Sequence, residues 1–413
     1  MCNKINTLEL FAGCGGLVEG FEKEGSYQTL ACVEWEKAPC ENLEHRLATK
    51  WHHENAQEEV IRFDIQRSDE LFHGFDDEEY GKHKGLDALV HGRTVDVIVG
   101  GPPCQAYSLA GRVRDKDGMR NDYRNYLFES YVRVVQHYRP KLFVFENVQG
   151  MLSAAPDGTP IVQKIRDAFR KAGYVIKHDL RGALFDLTEY GIPQKRKRII
   201  ILGVSRDYYG EHAKDIINCF YDEIMPSMKS PKMTVEEAIG DLPKLYPLDK
   251  DETRNGHKAS HEACTVPHVY NHEPRYHSLR DRKIFRLLAH DIETGEMRYA
   301  GTDALKKLYE EMTGHKSNVH KYYVLRRDEQ SNTIPAHLYK DGLRHIHPDP
   351  EQARSITVRE AARLQTFDDD YIFLGSRMSQ YKMIGNAVPP KFSLVLAKAV
   401  KRILLRYAKY EQG

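Results

Sequence analysis

Cysteine is scarce in this 413-residue chain, with seven residues, an odd number, and no Cys-x-x-Cys pair. That argues against a disulfide scaffold and a zinc ribbon, and favours a reducing compartment. Long apolar runs are missing too. The longest, Val95–Val99 and Ile199–Leu202, are strand-sized, far short of the roughly 18 residues a membrane span needs. Neither sign of charge dominates, since 61 Lys and Arg face 60 Asp and Glu for a net charge of +1. A histone-like polycation is thereby excluded, while a local basic cleft is not. Internal repeats and low-complexity tracts are lacking, and the start, which goes straight into a strand, is expected to carry no signal peptide. The expectation is a soluble intracellular protein of about two to three domains.

What is there is an alternation of β-branched runs and helical periods over residues 1–204. Strands are predicted at Thr7–Leu10, Thr29–Val33, Val95–Val99, Leu142–Phe145, Tyr174–Ile176 and Arg198–Val204. Between them, Leu127, Tyr131, Val134, Val135 and Tyr138 share one helical face, and Ile161, Ile165 and Phe169 share another. Such alternation implies an α/β fold with a parallel sheet covered on both faces. An acidic insert at 67–92 reads as a solvated surface excursion. Residues 205–377 are rich in His, Lys, Arg and Tyr and poor in periodicity, and read as a second, irregular domain. A final helix over Lys391–Tyr407, within 378–413, completes the first.

Leu10-Phe11-Ala12-Gly13-Cys14-Gly15-Gly16-Leu17 runs from a strand through a glycine-dense turn into a helix. Such a turn lets backbone approach a nucleotide beside a helix N-terminus. A dinucleotide fingerprint would need glycine at position 18, where Val18 stands. Glu34, at the end of the second strand, can grip two ribose hydroxyls, and Trp35 can stack on an adenine. Asp64 and Ile65 close another short apolar segment. Incidental acids at strand ends, or an NAD oxidoreductase, would account for these residues alone.

Gly100-Gly101-Pro102-Pro103-Cys104 directly follows a strand, so Cys104 sits at the carboxyl end of the sheet, where α/β proteins bind ligands. The next strand ends in Glu146-Asn147. Gln194-Lys195-Arg196-Lys197-Arg198 leads into another, and alternation sends Gln194, Arg196 and Arg198 to one face. A thiol, a carboxylate and arginines beside an adenosine site fit one chemistry. Carbon 5 of a pyrimidine is a poor nucleophile until a thiolate adds to carbon 6. An acid must then engage ring nitrogen 3, and a cation the ring oxygen.

Taken in order, these segments resemble the DNA (cytosine-5)-methyltransferase family, which uses S-adenosylmethionine. Phe11–Gly16 is similar to its first motif, Glu34-Trp35 to its second, Pro102–Gln105 to its nucleophile motif and Glu146–Val148 to its glutamate motif. Gln194-x-Arg196-x-Arg198 resembles its arginine motif, and Arg359–Gln365 and Gly385–Pro389 its ninth and tenth. Tyr107 departs from the usual Phe, and Phe367–Tyr371 lacks the usual proline. The resemblance implies a Rossmann-like S-adenosylmethionine methyltransferase domain, with a target-recognition domain at 205–377. It implies Cys104 as nucleophile, Glu146 on ring nitrogen 3 and the amine, and Asn147 orienting the cysteine loop. Arg198 would contact the cytosine oxygen and Arg196 brace the loop. Phe11, Gly13, Gly15, Gly16, Leu17, Glu34, Trp35, Asp64, Ile65, Pro103, Leu127, Asn386 and Val388 would serve the cofactor site. No metal is required.

The implied substrate is a flipped-out cytosine in a specific duplex DNA sequence. Arg112 and Arg114 belong to a Gly-hinged segment, 112–124, suited to closing over it. Asn271–Arg286 is expected to meet phosphates. Arg326, Arg327, Ser331 and Thr333 are expected to read the major groove. His257, His261, Cys264, His268, His272 and His277 fit no zinc-finger spacing. A monomeric, cytoplasmic, nucleoid-associated bacterial or phage modification enzyme follows by analogy, sharing its site with a restriction endonuclease it does not bind. Alternatives are a tRNA cytosine methyltransferase, whose Cys-Phe-Thr tripeptide is absent here, and a catalytically silent DNA-binding homologue.

Overall fold

The computed structural model describes residues 4–103, 127–155, 158–318, 322–340 and 342–411. They divide into two compact units. The first comprises Met1–Tyr190, Arg196–Pro231 and Ala387–Gly413, and the second Gly191–Lys195 and Lys232–Asn386. These boundaries differ from the expected breaks after 204 and 377, for local reasons. The helical stretch after the last long strand packs back on that strand: Tyr221 Oη lies 2.7 Å from the Ile200 carbonyl and 3.0 Å from the Leu202 N–H. The helix Arg377–Asn386 belongs to the second unit, where Tyr381 Oη donates to the Ile356 carbonyl at 2.7 Å.

In chain order the first unit's strands are β1 (Ile5–Leu10), β2 (Tyr27–Glu34), β3 (Val60–Arg62), the hairpin β4 (Phe75–Asp77) and β5 (Gly81–His83), β6 (Val97–Gly100), β7 (Leu142–Val148), β8 (Tyr174–Val175), β9 (Leu184–Asp186) and β10 (Lys197–Ser205). All but the hairpin form one sheet, ordered β3-β2-β1-β6-β7-β10-β8, with β9 beside β10. β1, β2, β3, β6 and β7 run parallel. The expected all-parallel sheet is corrected at β10, which is antiparallel to β7, β8 and β9. β6 and residues 199–204 of β10 are fully buried, as strands covered on both faces must be.

The helix Leu127–Tyr138 lies on the sheet with Tyr131 Oη between the Ile98 and Val144 carbonyls, at 3.1 and 3.0 Å. The helix Pro390–Tyr407 packs on the helix Gly16–Glu24 at backbone distance, since a Cβ on Gly20 would lie 2.2 Å from Leu394 N. The insert at 67–92 is more than a solvated excursion. Leu71, Phe72, Phe75, Leu86 and Val90 are buried, and Phe72 stacks on His137 at 3.9 Å. Its acidic tip, with Asp76, Glu78 and Glu79, is exposed, as are Glu70, His73, Lys82 and Lys84.

The second unit holds the hairpin β11 (Pro247–Arg254) and β12 (His257–His261) and helices at Leu279–Glu293, Thr302–Thr313, Val358–Leu364 and Arg377–Asn386. Its centre is polar. Fully buried Arg354 makes two hydrogen bonds to Glu360, at 2.7 and 2.6 Å. His272 bonds Thr357 Oγ1 at 2.9 Å, and His277 lies 3.1 Å from Ser355 Oγ. The stretch expected to meet phosphates is divided: Arg275 donates to the Leu338 carbonyl and buried Arg282 to Asp251, while Arg280, Lys283 and Arg286 are exposed. Among the described residues no helix is long and apolar enough to cross a membrane.

Candidate active site

The strand order reverses between β1 and β6, so the crevice beyond their carboxyl ends is where such a sheet binds ligands. β7 delivers Glu146 and Asn147 to the same edge. Because β10 runs the other way, its start, not its end, lies there: Arg198 pairs with Val148 and Ile200 with Glu146. Glu146 is 8% exposed, and its Oε1 lies 2.7 Å from Arg198 Nε. This ion pair holds the carboxylate in one orientation in a mostly dry site.

The carboxylate rests against the shelf that leads to the cysteine. A Cβ on Gly101 would sit 2.8 Å from Glu146 Oε2. Asn147 Nδ2 donates to the Pro102 carbonyl at 3.4 Å, and its Oδ1 accepts the Val148 N–H at 2.8 Å. The shelf and the end of β7 are therefore one fixture, with Pro102 buried and Pro103 half-buried. Buried Arg196 donates through Nη2 to the Ala387 carbonyl at 3.0 Å. Burial, with Arg198 nearby, pulls its guanidinium below the ordinary arginine range. Cys104, Arg112 and Arg114 lie outside the described residues.

At the other side of the crevice the glycine turn is left-handed at Phe11 (φ 57°), Gly13 (φ 56°) and Gly15 (φ 85°). Glu34 Oε2 accepts the Gly13 N–H at 2.8 Å, and its Oε1 accepts those of Trp35 and Glu36 at 2.9 Å each. Burial raises the Glu34 carboxyl above its ordinary value against these donors. Trp35 is 49% exposed, and nothing lies within 4 Å of a Cβ built on Gly13. Asp64 follows β3, its Oδ1 accepting the Gln66 N–H at 3.0 Å, while Ile65 is buried.

Gly16, Leu17 and Val388 have a packing part. A Cβ on Gly16 would lie 2.4 Å from the Val388 carbonyl oxygen, and Leu17 is 4% exposed. Leu127, 7% exposed, opens its helix. Asn386 is exposed at the end of a second-unit helix. Of the residues expected to read DNA, Ser331 is corrected: it is 1% exposed, and its N–H and carbonyl bond Pro193 and Lys195. The Thr333 hydroxyl is committed to the Lys195 carbonyl at 2.6 Å.

A model of the C-5 cytosine-specific DNA methylase family matches residues 5–402. The chain belongs to that family. It is 33% identical over 454 aligned residues, 96% of this chain and 98% of the relative, to Type II methyltransferase M.Bpa9945I of Bacillus paralicheniformis. It is 29% identical to Type II methyltransferase M1.HphI of Haemophilus parahaemolyticus, over 97% and 88% of the two chains. An E. coli crystal structure described as a prophage-encoded DNA modification methyltransferase shares the fold, with TM-score 0.62 and 21% identity over 97% of this chain and 100% of that one. S. pombe Dnmt2 methyltransferase does so at TM-score 0.54 and 14% identity, over 98% and 99%.

In this C-5 cytosine DNA methyltransferase, two features of the site escaped the sequence reading. The sequence placed Gly101 only in the link from strand to Cys104, whereas its missing side chain is the space the Glu146 carboxylate occupies. Behind the glycine turn, Glu19 of the helix Gly16–Glu24 accepts two hydrogen bonds from Arg46 at 2.8 Å and one from Trp51 Nε1 at 2.9 Å, with Glu19 and Arg46 buried and Trp51 partly so. The Gly16-x-x-x-Gly20 spacing was the available signal that this helix packs backbone-close.

Proposed function

We propose that this methyltransferase acts on carbon 5 of an extrahelical cytosine in a specific duplex DNA sequence, through a transient bond from Cys104 to carbon 6. The observation that carries it is the Glu146–Arg198 pair at 2.7 Å, lodged against Gly101 three residues before Cys104. Flipping the base costs a few kcal/mol. Glu146 would hold ring nitrogen 3 and the exocyclic amine, Arg198 the ring oxygen, and Asn147 the shelf bearing the thiol. As sulfur adds to carbon 6, electron density moves to carbon 5. Once carbon 5 carries the methyl group, loss of its proton to solvent leaves the C–H bond pair to re-form the 5,6 double bond, and the carbon–sulfur pair departs with the thiolate.

The open space beside left-handed Gly13 and the carboxylate bonded to its N–H fit the adenosine of S-adenosylmethionine. Phe11, Gly13, Glu34, Trp35 and Asp64 would hold it. When bound, it supplies an electrophilic methyl group on a sulfonium. The Type II names of the relatives support a bacterial or phage modification enzyme acting on the site of a partner endonuclease; a cytoplasmic monomer is proposed by analogy alone.

The test is a duplex carrying 5-fluorocytosine at the target, identified by bisulfite sequencing of plasmid from expressing cells. Fluorine at carbon 5 cannot leave as a proton does, so mass spectrometry should find the oligonucleotide attached at Cys104. Absence of methylcytosine from the plasmid despite folded, cofactor-binding protein would refute the reading, as would attachment elsewhere. Cys104→Ala should abolish both methylation and attachment.

A further inference from the structure

The second unit contains a cavity of about 420 Å³ among the helices Leu279–Glu293 and Thr302–Thr313, the loop joining them, and residues 322–326. Its floor is apolar and aromatic, formed by Leu288, Leu305 and Tyr322 of this unit's small core. Its rim is polar, with Arg326, Asn332 and Arg344. Size and lining are those of a small-ligand pocket with a few convergent polar groups.

Two features indicate what would enter. Arg327 is held by Glu236 at 2.8 Å and Glu293 at 3.7 Å, whereas Arg326 has no carboxylate partner among the described residues; its Nη1 lies 3.9 Å from Met297 Sδ. Met297, 43% exposed, is held left-handed (φ 56°) in a loop pinned by Asp291, which accepts the Arg298 and Tyr299 N–H groups at 2.8 and 3.0 Å. A strained, exposed thioether at the mouth of an apolar pocket marks a built feature rather than a gap in packing.

An apolar, aromatic floor takes a flat ring. A guanidinium without a carboxylate takes a phosphate. Those are the parts of a nucleotide. We propose that this cavity receives one nucleotide of the DNA substrate, distinct from the target cytosine, with its phosphate at Arg326. The inference rests on duplex DNA being the substrate.

The full chain is tested with duplexes containing its methylated site and 2-aminopurine at one position in turn, which brightens when unstacked. One position away from the target and its neighbours should brighten with the wild type and stay dark with Leu305→Trp, whose indole fills the cavity. Leu305→Trp and Arg326→Ala should each weaken duplex binding about tenfold, and Arg326→Ala should reduce the salt slope by about one. S-Adenosylmethionine binding and the circular dichroism melt report whether each variant has folded. Arg326→Ala changes only the rim, and keeps the test decisive if the tryptophan variant fails to fold. Wild-type affinity and slope for Arg326→Ala, or no brightening beyond the target, would overturn the proposal. Deoxynucleoside monophosphates form the second arm, read by saturation-transfer NMR. Their binding without any brightened duplex position assigns the cavity to a free nucleotide and overturns the DNA assignment. If the wild type neither binds nor methylates DNA, the functional reading itself has failed, whatever the second arm shows.

Discussion

Gly101→Ala should cripple catalysis while leaving the fold intact. The new Cβ would stand 2.8 Å from Glu146 Oε2, and the next atoms, Cβ and O of Glu146, lie at an ordinary 3.7 Å. Gly101 is not among the left-handed glycines, so alanine brings no backbone strain there. A carbon–oxygen contact settles near 3.3 Å or beyond, so the carboxylate must retreat by about 0.5 Å. It is the movable end of a side chain, and the cost to stability should be about 1 kcal/mol or less. Its retreat disturbs the 2.7 Å pairing with Arg198 and the position from which Glu146 would meet the base. A displacement of 1 Å can cost about a hundredfold in rate, so half of that predicts a loss of about tenfold.

The assay is single-turnover methylation of duplex DNA at saturating S-adenosylmethionine, with cofactor affinity and thermal unfolding measured alongside. The expected result is a slowed chemical step with unchanged cofactor binding and melting. Glu146→Asp sharpens it, because a side chain shorter by one methylene leaves room for the new methyl. The double variant should then be no slower than Glu146→Asp alone, a non-additivity that a steric coupling requires. Wild-type turnover by Gly101→Ala, or strictly additive losses, would refute the reasoning.

Gly20→Ala should act on stability instead, since its Cβ would meet main-chain atoms, Leu394 N at 2.2 Å and Ser393 C at 2.3 Å, that cannot swing aside. A loss of about 1–3 kcal/mol in urea unfolding is expected. Arg354→Met strands Glu360, which is 1% exposed, without its ionic partner. A destabilisation of about 3–5 kcal/mol should follow, relieved in part by adding Glu360→Leu. Burial holds His261 and His345 down at about 4 and His347 at about 3, against 6.5 ordinarily. Their neutral forms stabilise the second unit fully above pH 6.5, and that stability drains as pH falls towards their folded values, by roughly 4 kcal/mol between pH 8 and 5.5. His53, bonded to Glu22 and Glu59, is raised to about 9, so its stabilisation of the first unit is full below pH 6.5 and lost as pH rises through 9. Hydrogen exchange, corrected for intrinsic rates, should therefore show the two units responding to acid with opposite sign.

The central strands were legible because strands buried on both faces leave unbroken β-branched runs, as in Val97–Val99 and Ile199–Leu202. The chemistry was legible for a related reason: Glu146 and the arginines before Ile199 are polar residues at the ends of such runs. What sequence patterning could not show was partnership over distance. The basic second unit reads as a charged surface, yet Arg282 is answered by Asp251 and Arg275 by the Leu338 carbonyl, 31 and 63 positions away. Short helices with buried charges leave little apolar period to read. The insert at 67–92 misled for the converse reason, its acidic tip masking the apolar side chains that anchor it.

The direction of β10 matters more to the site than any single residue. In an all-parallel sheet, Arg198 at the start of a strand would lie at the amino edge, while Glu146 near the end of β7 lies at the carboxyl edge. Seven residues of strand separate those edges, about 23 Å at about 3.3 Å per residue. The antiparallel turn of β10 removes that distance and puts Arg198 opposite Val148, within 2.7 Å of the glutamate. An arginine that precedes an apolar run thus becomes equivalent in space to an acid that follows one. Any variant that weakened β10 pairing with β7 would separate the two charges before it disturbed the glycine turn, because β1 and β2 hold Gly13 and Glu34 independently. Loss of methylation with retained cofactor binding is the signature that such a variant must show.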